Sequence, residues 1–150
     1  YTTKFNDVPE ADEDVCIPFG KARIVTEGTD ITVVANSMMT IKAEKAIRKL
    51  QKDGVSAELI DLRTIVPLDT ETIVRSVKKT GKLLIIDEGH VSFGITGEIA
   101  ARIMPEVFYD LEAPIERMGT SDVPLPFSPA LEFPLIPDEK KIAAKIRQMV

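Results

Sequence analysis

The chain has 150 residues, 44% of them hydrophobic and 29% charged, which suits one soluble domain that buries its own core and excludes disordered and fibrous classes. Its formal net charge of −5 is concentrated at the front, where Asp7, Glu10, Asp12, Glu13 and Asp14 stand against Lys4 alone. The near-neutral remainder offers no electrostatic footprint for nucleic acid, and no apolar run is long enough to span a bilayer.

Residues 1–18 read as a linker, because Pro9 and Pro18 bracket an acidic stretch without apolar period. Tyr1 is not an initiator Met and no signal peptide is visible, so the chain reads as a fragment or a processed product. Cys16 is the only cysteine, which excludes an internal disulfide and a Cys-based zinc site. A reducing cytoplasm or organelle matrix fits that usage.

The folded part is expected to start near Phe19. Residues 22–26 and 31–35 read as two short strands, and the turn Glu27-Gly28-Thr29-Asp30 between them predicts a hairpin. Met39, Ala43, Ala46, Ile47 and Leu50 then recur at helical spacing, with Gly54 closing that helix. Residues 57–62 form the next expected strand, stopped by Pro67. Asp69 is placed to cap a helix carrying Ile73, Val74 and Val77, which ends before Gly81.

Residues 82–87 are almost continuously apolar after Lys82, as befits an inner strand of a parallel sheet. Ile95, Ile99, Ala100, Ile103 and Met104 mark a third helix, which Pro105 ends or kinks. Residues 115–119 form the last short strand, and Asp138 opens a terminal helix with Ile142, Ala143, Ile146 and Met149 on one face. Such alternation predicts an α/β fold: a three-layer, doubly wound, mostly parallel five-stranded sheet with one antiparallel strand.

Residues 123–136 break the pattern. Pro124, Pro126, Pro129 and Pro134 exclude a regular helix or a central strand. Yet Leu125, Phe127, Leu131, Phe133, Leu135 and Ile136 are more apolar side chains than a solvent loop needs. The segment either wraps back over its own sheet or buries Leu125, Phe127 and Phe133 against another subunit, and both readings stay open here.

Ligands of open α/β sheets bind beyond the carboxyl ends of the strands. The first such turn, Asn36-Ser37-Met38, lacks the glycines of a dinucleotide fingerprint, so Asp61 on the next strand means little as a ribose contact. Residues 87–97 hold Asp87, Glu88, His90, Ser92 and three glycines around a helix start near Ile95, which could serve a small anion or acid–base chemistry. The same glycines equally serve a tight strand-to-helix turn. No G-x-S-x-G elbow presents Ser37 or Ser92 to a triad, and no phosphate loop is present. Read from the residues alone, the site inventory is thin.

The stretches Ile17-Pro18-Phe19-Gly20-Lys21-Ala22, Glu27-Gly28-Thr29-Asp30 and Ile60-Asp61-Leu62-Arg63-Thr64-Ile65-Val66-Pro67-Leu68-Asp69 come in a telling order. Asp87-Glu88-Gly89-His90, Gly97-Glu98-Ile99-Ala100-Ala101, Leu111-Glu112-Ala113-Pro114 and Pro126-Phe127-Ser128-Pro129 follow them. Together they resemble the C-terminal domain of transketolase-like thiamine-diphosphate enzymes, from about Val8 to the end. The best match is the E1 β subunit of 2-oxo acid dehydrogenases of pyruvate, branched-chain or acetoin type. A one-chain transketolase or a deoxyxylulose-phosphate synthase is the related alternative. A free-standing small-anion-binding domain is the alternative from another class.

The resemblance implies a linker over 1–18 from a missing N-terminal domain and a transketolase C-terminal-like domain over 19–150. It also implies that thiamine diphosphate and Mg²⁺ belong to the full enzyme, held outside this chain, and that His90 carries no catalytic role. The fragment alone is expected to be inactive and to serve assembly, in a homodimer or heterotetramer. Implied partners are an E1 α subunit, a second β subunit and an E2 acyltransferase, in the cytoplasm or a mitochondrial matrix. Docking of a basic E2 domain is expected at Glu112, Glu116 and the α-carboxylate of Val150, where Asp110 adds to an acidic patch.

Overall fold

The structure, a computed structural model, describes residues 16–150. Most of the linker expected over 1–18 therefore lies outside the described residues. The strands are β1 (Arg23–Thr26), β2 (Ile31–Ala35), β3 (Ala57–Asp61), β4 (Leu83–His90) and β5 (Glu116–Thr120). The helices are α1 (Ser37–Gln51), α2 (Thr70–Thr80), α3 (Ile95–Val107), α4 (Pro129–Glu132) and α5 (Glu139–Met149).

The strands form one sheet in the order β1-β3-β2-β4-β5, parallel except for β1, which runs antiparallel to β3. Alternate residues of β2 face opposite layers, as a two-residue side-chain period requires. Ile31, Val33 and Ala35 pack with Met39, Ala43, Ile47 and Leu50 of α1 and with Ile142 and Ile146 of α5. Val34, with Ile60 and Ile85, packs against Ile73 and Val77 of α2 and Ile99, Ile103 and Val107 of α3. The three-layer, mostly parallel architecture expected from the alternation is the one observed.

The expected hairpin does not form. β1 and β2 run in opposite directions, but β3 lies between them. The turn that joins them crosses the start of β3 instead, where Thr29 and Asp30 donate their N–H groups to the Ser56 carbonyl at 3.0 and 2.8 Å. Gly28 permits that crossing, since a Cβ there would lie 2.3 Å from the carbonyl carbon of Ala57.

Local signals place the helix ends well. Asp69 caps α2 by accepting from the Thr72 N–H at 3.1 Å, and Gly81 ends it in the left-handed region with φ 69°. Asp138 caps α5 by accepting from the Lys141 N–H at 2.8 Å. Pro105 does not end α3, which continues to Val107. The residue sits on the exposed face, so the Ala101 carbonyl it leaves unpaired can take water. β5 begins one residue later than expected, and β4 runs three residues further, to His90.

The proline-rich segment contains one helical turn, α4, with Pro129 at its start. Ile136 does reach the α1/α5 core. Leu125, Leu131, Phe133 and above all Phe127 remain exposed, Phe127 completely. Filling of its own core is thus confined to the segment's last residues.

Candidate functional site

The structure separates the sequence-derived candidates into two ends of the sheet. At the amino end lie Glu112 and Glu116. Glu112 donates its N–H to the Gly81 carbonyl at 2.8 Å, which fixes it beside the end of α2. Its side chain occupies the space over Gly81, where a Cβ would meet the Glu112 Cγ at 2.8 Å. Glu116 opens β5, and its Oε2 lies 3.0 Å from Lys145 Nζ on α5. Val150 follows α5 directly and donates its N–H to the Ile146 carbonyl at 3.1 Å. Glu116 is therefore ion-paired within the chain, a contact that spacing could not reveal.

At the carboxyl end, β4 carries Asp87, Glu88 and His90 out of the core into solvent. Asp87 Oδ2 accepts the Gly89 N–H at 3.0 Å, a local turn contact. His90 Nδ1 lies 2.9 Å from the Ser121 carbonyl, and Ser92 donates its hydroxyl to Asp122. A cleft of about 480 Å³ opens between these two loops, lined by His90, Ser92, Phe93, Asp122, Val123 and Pro124. Ser92 thus engages Asp122 rather than Asp87, and no serine–histidine–aspartate relay is assembled from these groups. Sequence reasoning missed Asp122 and Ser121, because only the pairing of β4 with β5 brings their loop alongside.

Asp61 is spent locally, its Oδ1 accepting from the Arg63 N–H at 3.2 Å and from the Thr40 hydroxyl at 3.4 Å. Among the described residues no three His, Cys, Asp or Glu side chains come together to hold a metal ion.

A second polar cluster escaped sequence reading altogether. Glu58 on β3 is almost fully buried, and its carboxylate pairs with Lys79 of α2, which also reaches Glu27 at 3.3 Å. Burial alone would push the Glu58 carboxyl up, but hydrogen bonds from Lys79 and Ser76 and the lysine charge hold it below the ordinary range. Its hydrogen bond to Glu58 in turn raises the Lys79 ammonium above its ordinary value. Beside this pair, Thr32 bonds Ser76 and Thr80 at 2.6 and 2.7 Å, tying the central strand to α2. The cluster is a fastening, and Asp69 is another: it accepts the Ala22 N–H at 2.9 Å and so joins β1 to the head of α2.

Residues 20–142 match the family described as transketolase, C-terminal domain. The chain belongs to that family. The domain is 45% identical over 143 residues to the pyruvate dehydrogenase E1 component subunit beta of Rickettsia felis, covering 95% of this chain and 43% of that protein. It is 38% identical over 138 residues to the 2-oxoisovalerate dehydrogenase subunit beta of Bacillus subtilis, covering 91% of this chain and 42% of that one. Among solved structures it superposes on a split-gene transketolase, an inactive β4 tetramer, with a TM-score of 0.75 at 26% identity, covering 95% of this chain and 45% of that chain. The domain thus spans under half the length of these relatives. Its likeness in sequence is greater to the dehydrogenase β subunits than to the split transketolase.

Proposed function

We propose that the domain is the assembly and partner-docking part of an E1 β subunit of a 2-oxo acid dehydrogenase. The assembled enzyme oxidatively decarboxylates a 2-oxo acid on thiamine diphosphate and Mg²⁺ and transfers the acyl group to the lipoyl disulfide of E2. The 45% identity to a pyruvate dehydrogenase β subunit over nearly the whole chain carries this reading. The cofactor is held by parts of the enzyme beyond these residues.

The exposed faces of Leu125, Phe127 and Phe133 support their use as a subunit interface with a second β subunit or the α subunit. Glu112, Glu116 and Val150 form the docking surface for a basic domain of E2, in the cytoplasm or the mitochondrial matrix. No described helix is long and apolar enough to cross a membrane.

Calorimetry with thiamine diphosphate and Mg²⁺ tests the division of labour. The isolated chain should show no binding and no turnover of 2-oxo acids. Measurable cofactor binding by this chain alone would overturn the proposal.

A further inference from the structure

The cleft at the end of β4 holds chemistry that the assembly reading does not use. One wall is Phe93, whose backbone lies in the left-handed region at φ 56° and whose ring is wholly exposed. That conformation is strained for a non-glycine residue, and here it holds an aromatic face in water instead of in a core. The same cleft is lined by Asp122, whose carboxylate accepts from the Ser92 hydroxyl.

His90 adds a third group to the lining. A carbonyl oxygen only accepts, so the 2.9 Å contact to Ser121 places the proton of the neutral His90 ring on Nδ1. Nε2 is then an acceptor. The cleft therefore presents a carboxylate, a ring nitrogen lone pair and an aromatic face. All three favour a cationic donor over an anion.

The segments that form the cleft supply almost no such donor of their own. No Lys or Arg occurs between Lys82 and Arg102, and Arg117 alone occurs between Arg102 and Lys140. Arg117 is already committed, its Nη1 donating to the Val91 carbonyl at 3.1 Å. Asp87 and Glu88 add negative charge on the same strand end.

We infer that this cleft receives an arginine side chain from the surface of a partner protein. Its guanidinium lies flat on Phe93 and donates to Asp122 and to His90 Nε2. A planar cation with five donors matches a cleft that combines an aromatic face with two acceptors, whereas an ammonium is a compact point charge with no planar face to stack. Val123 and Pro124 cover the alkyl stem, as such stems require.

N-acetyl-arginine amide titrated into the full chain, with His90 and Phe93 ring signals followed by NMR, tests the inference. Saturable shifts confined to residues 90–93 and 121–124 are expected, and the uncharged N-acetyl-citrulline amide should give none. N-acetyl-lysine amide should bind at least about threefold more weakly. Asp122→Asn should abolish the response and Phe93→Ala should weaken it about tenfold, with amide spectra elsewhere unchanged. No saturable shift, an equal shift with citrulline, equal binding of lysine, or a response that survives Asp122→Asn would each overturn it.

Discussion

Lys145 Nζ stands 3.0 Å from Glu116 Oε2, so one carboxylate of the proposed docking surface already has a cation beside it. A partly exposed pair of this kind is worth about 0–1 kcal/mol to folding, but it competes with any basic partner. Lys145→Met should leave stability within about 1 kcal/mol and raise affinity for a basic E2 docking domain. Glu116→Gln should then cost more affinity in the Lys145→Met background than in the native one. Calorimetry on the four variants measures this, and equal costs in both backgrounds would show that Lys145 does not compete.

Asp69 is buried and accepts from Ala22, Thr72 and the Thr72 hydroxyl at once. Asp69→Ala removes a helix cap and strands two N–H groups, and should cost about 2–4 kcal/mol in urea unfolding. Burial opposes its charge, but the Ala22 and Thr72 hydrogen bonds and nearby Lys21 hold the carboxyl below its ordinary value. A lowered folded value means that the stabilisation is complete above the unfolded pKa of about 3.9 and is lost as pH falls through the folded one. Asp69→Asn should flatten the acid limb of the stability profile in that window.

Glu58 and Lys79 are unequal partners, the first buried and the second 41% exposed. Lys79→Met should cost about 2–3 kcal/mol, because it leaves a buried carboxylate unpaired. Glu58→Gln combined with Lys79→Met should cost less than Lys79→Met alone. The lowered Glu58 contributes above about pH 4.3 and fails as pH falls through its folded value. The raised Lys79 contributes fully below about pH 10.4 and fails as pH rises through its folded value. A thermal-melt series across both limbs checks the two signs.

Phe127 and Phe133 contact too little of their own fold to stabilise it. Phe127→Ser with Phe133→Ser should shift the isolated chain's stability by under about 1 kcal/mol while weakening association of the chain. Light scattering after size exclusion reads the second effect. Unchanged self-association at concentrations where the native chain associates would remove these rings from the interface.

Local chemistry was legible in the sequence because it acts over a few residues. The caps at Asp69 and Asp138, the left-handed stop at Gly81 and the apolar stripe of α1 were all readable from side-chain type and spacing. Inner strands were equally readable, since residues covered on both faces must be apolar along their whole length. The ordered motifs also pointed to the family that residues 20–142 match.

What stayed hidden depends on which segments meet after the chain has folded. A Gly-containing turn signals reversal of direction and nothing about which strand fills the space, so β3 entering between β1 and β2 was invisible. The partners of Glu116, Glu58 and Ser92 lie 21 to 30 positions away in sequence or are set by helix docking, where spacing carries no information. Exposure of Phe127 and partial burial of Ile136 within one proline-rich stretch were likewise decided only by where that stretch touches the α1/α5 core. The sequence by itself determined an α/β domain and the family to which it belongs. Tertiary structure alone decided how its charges pair and which apolar side chains stay exposed, because both are properties of contact and not of composition.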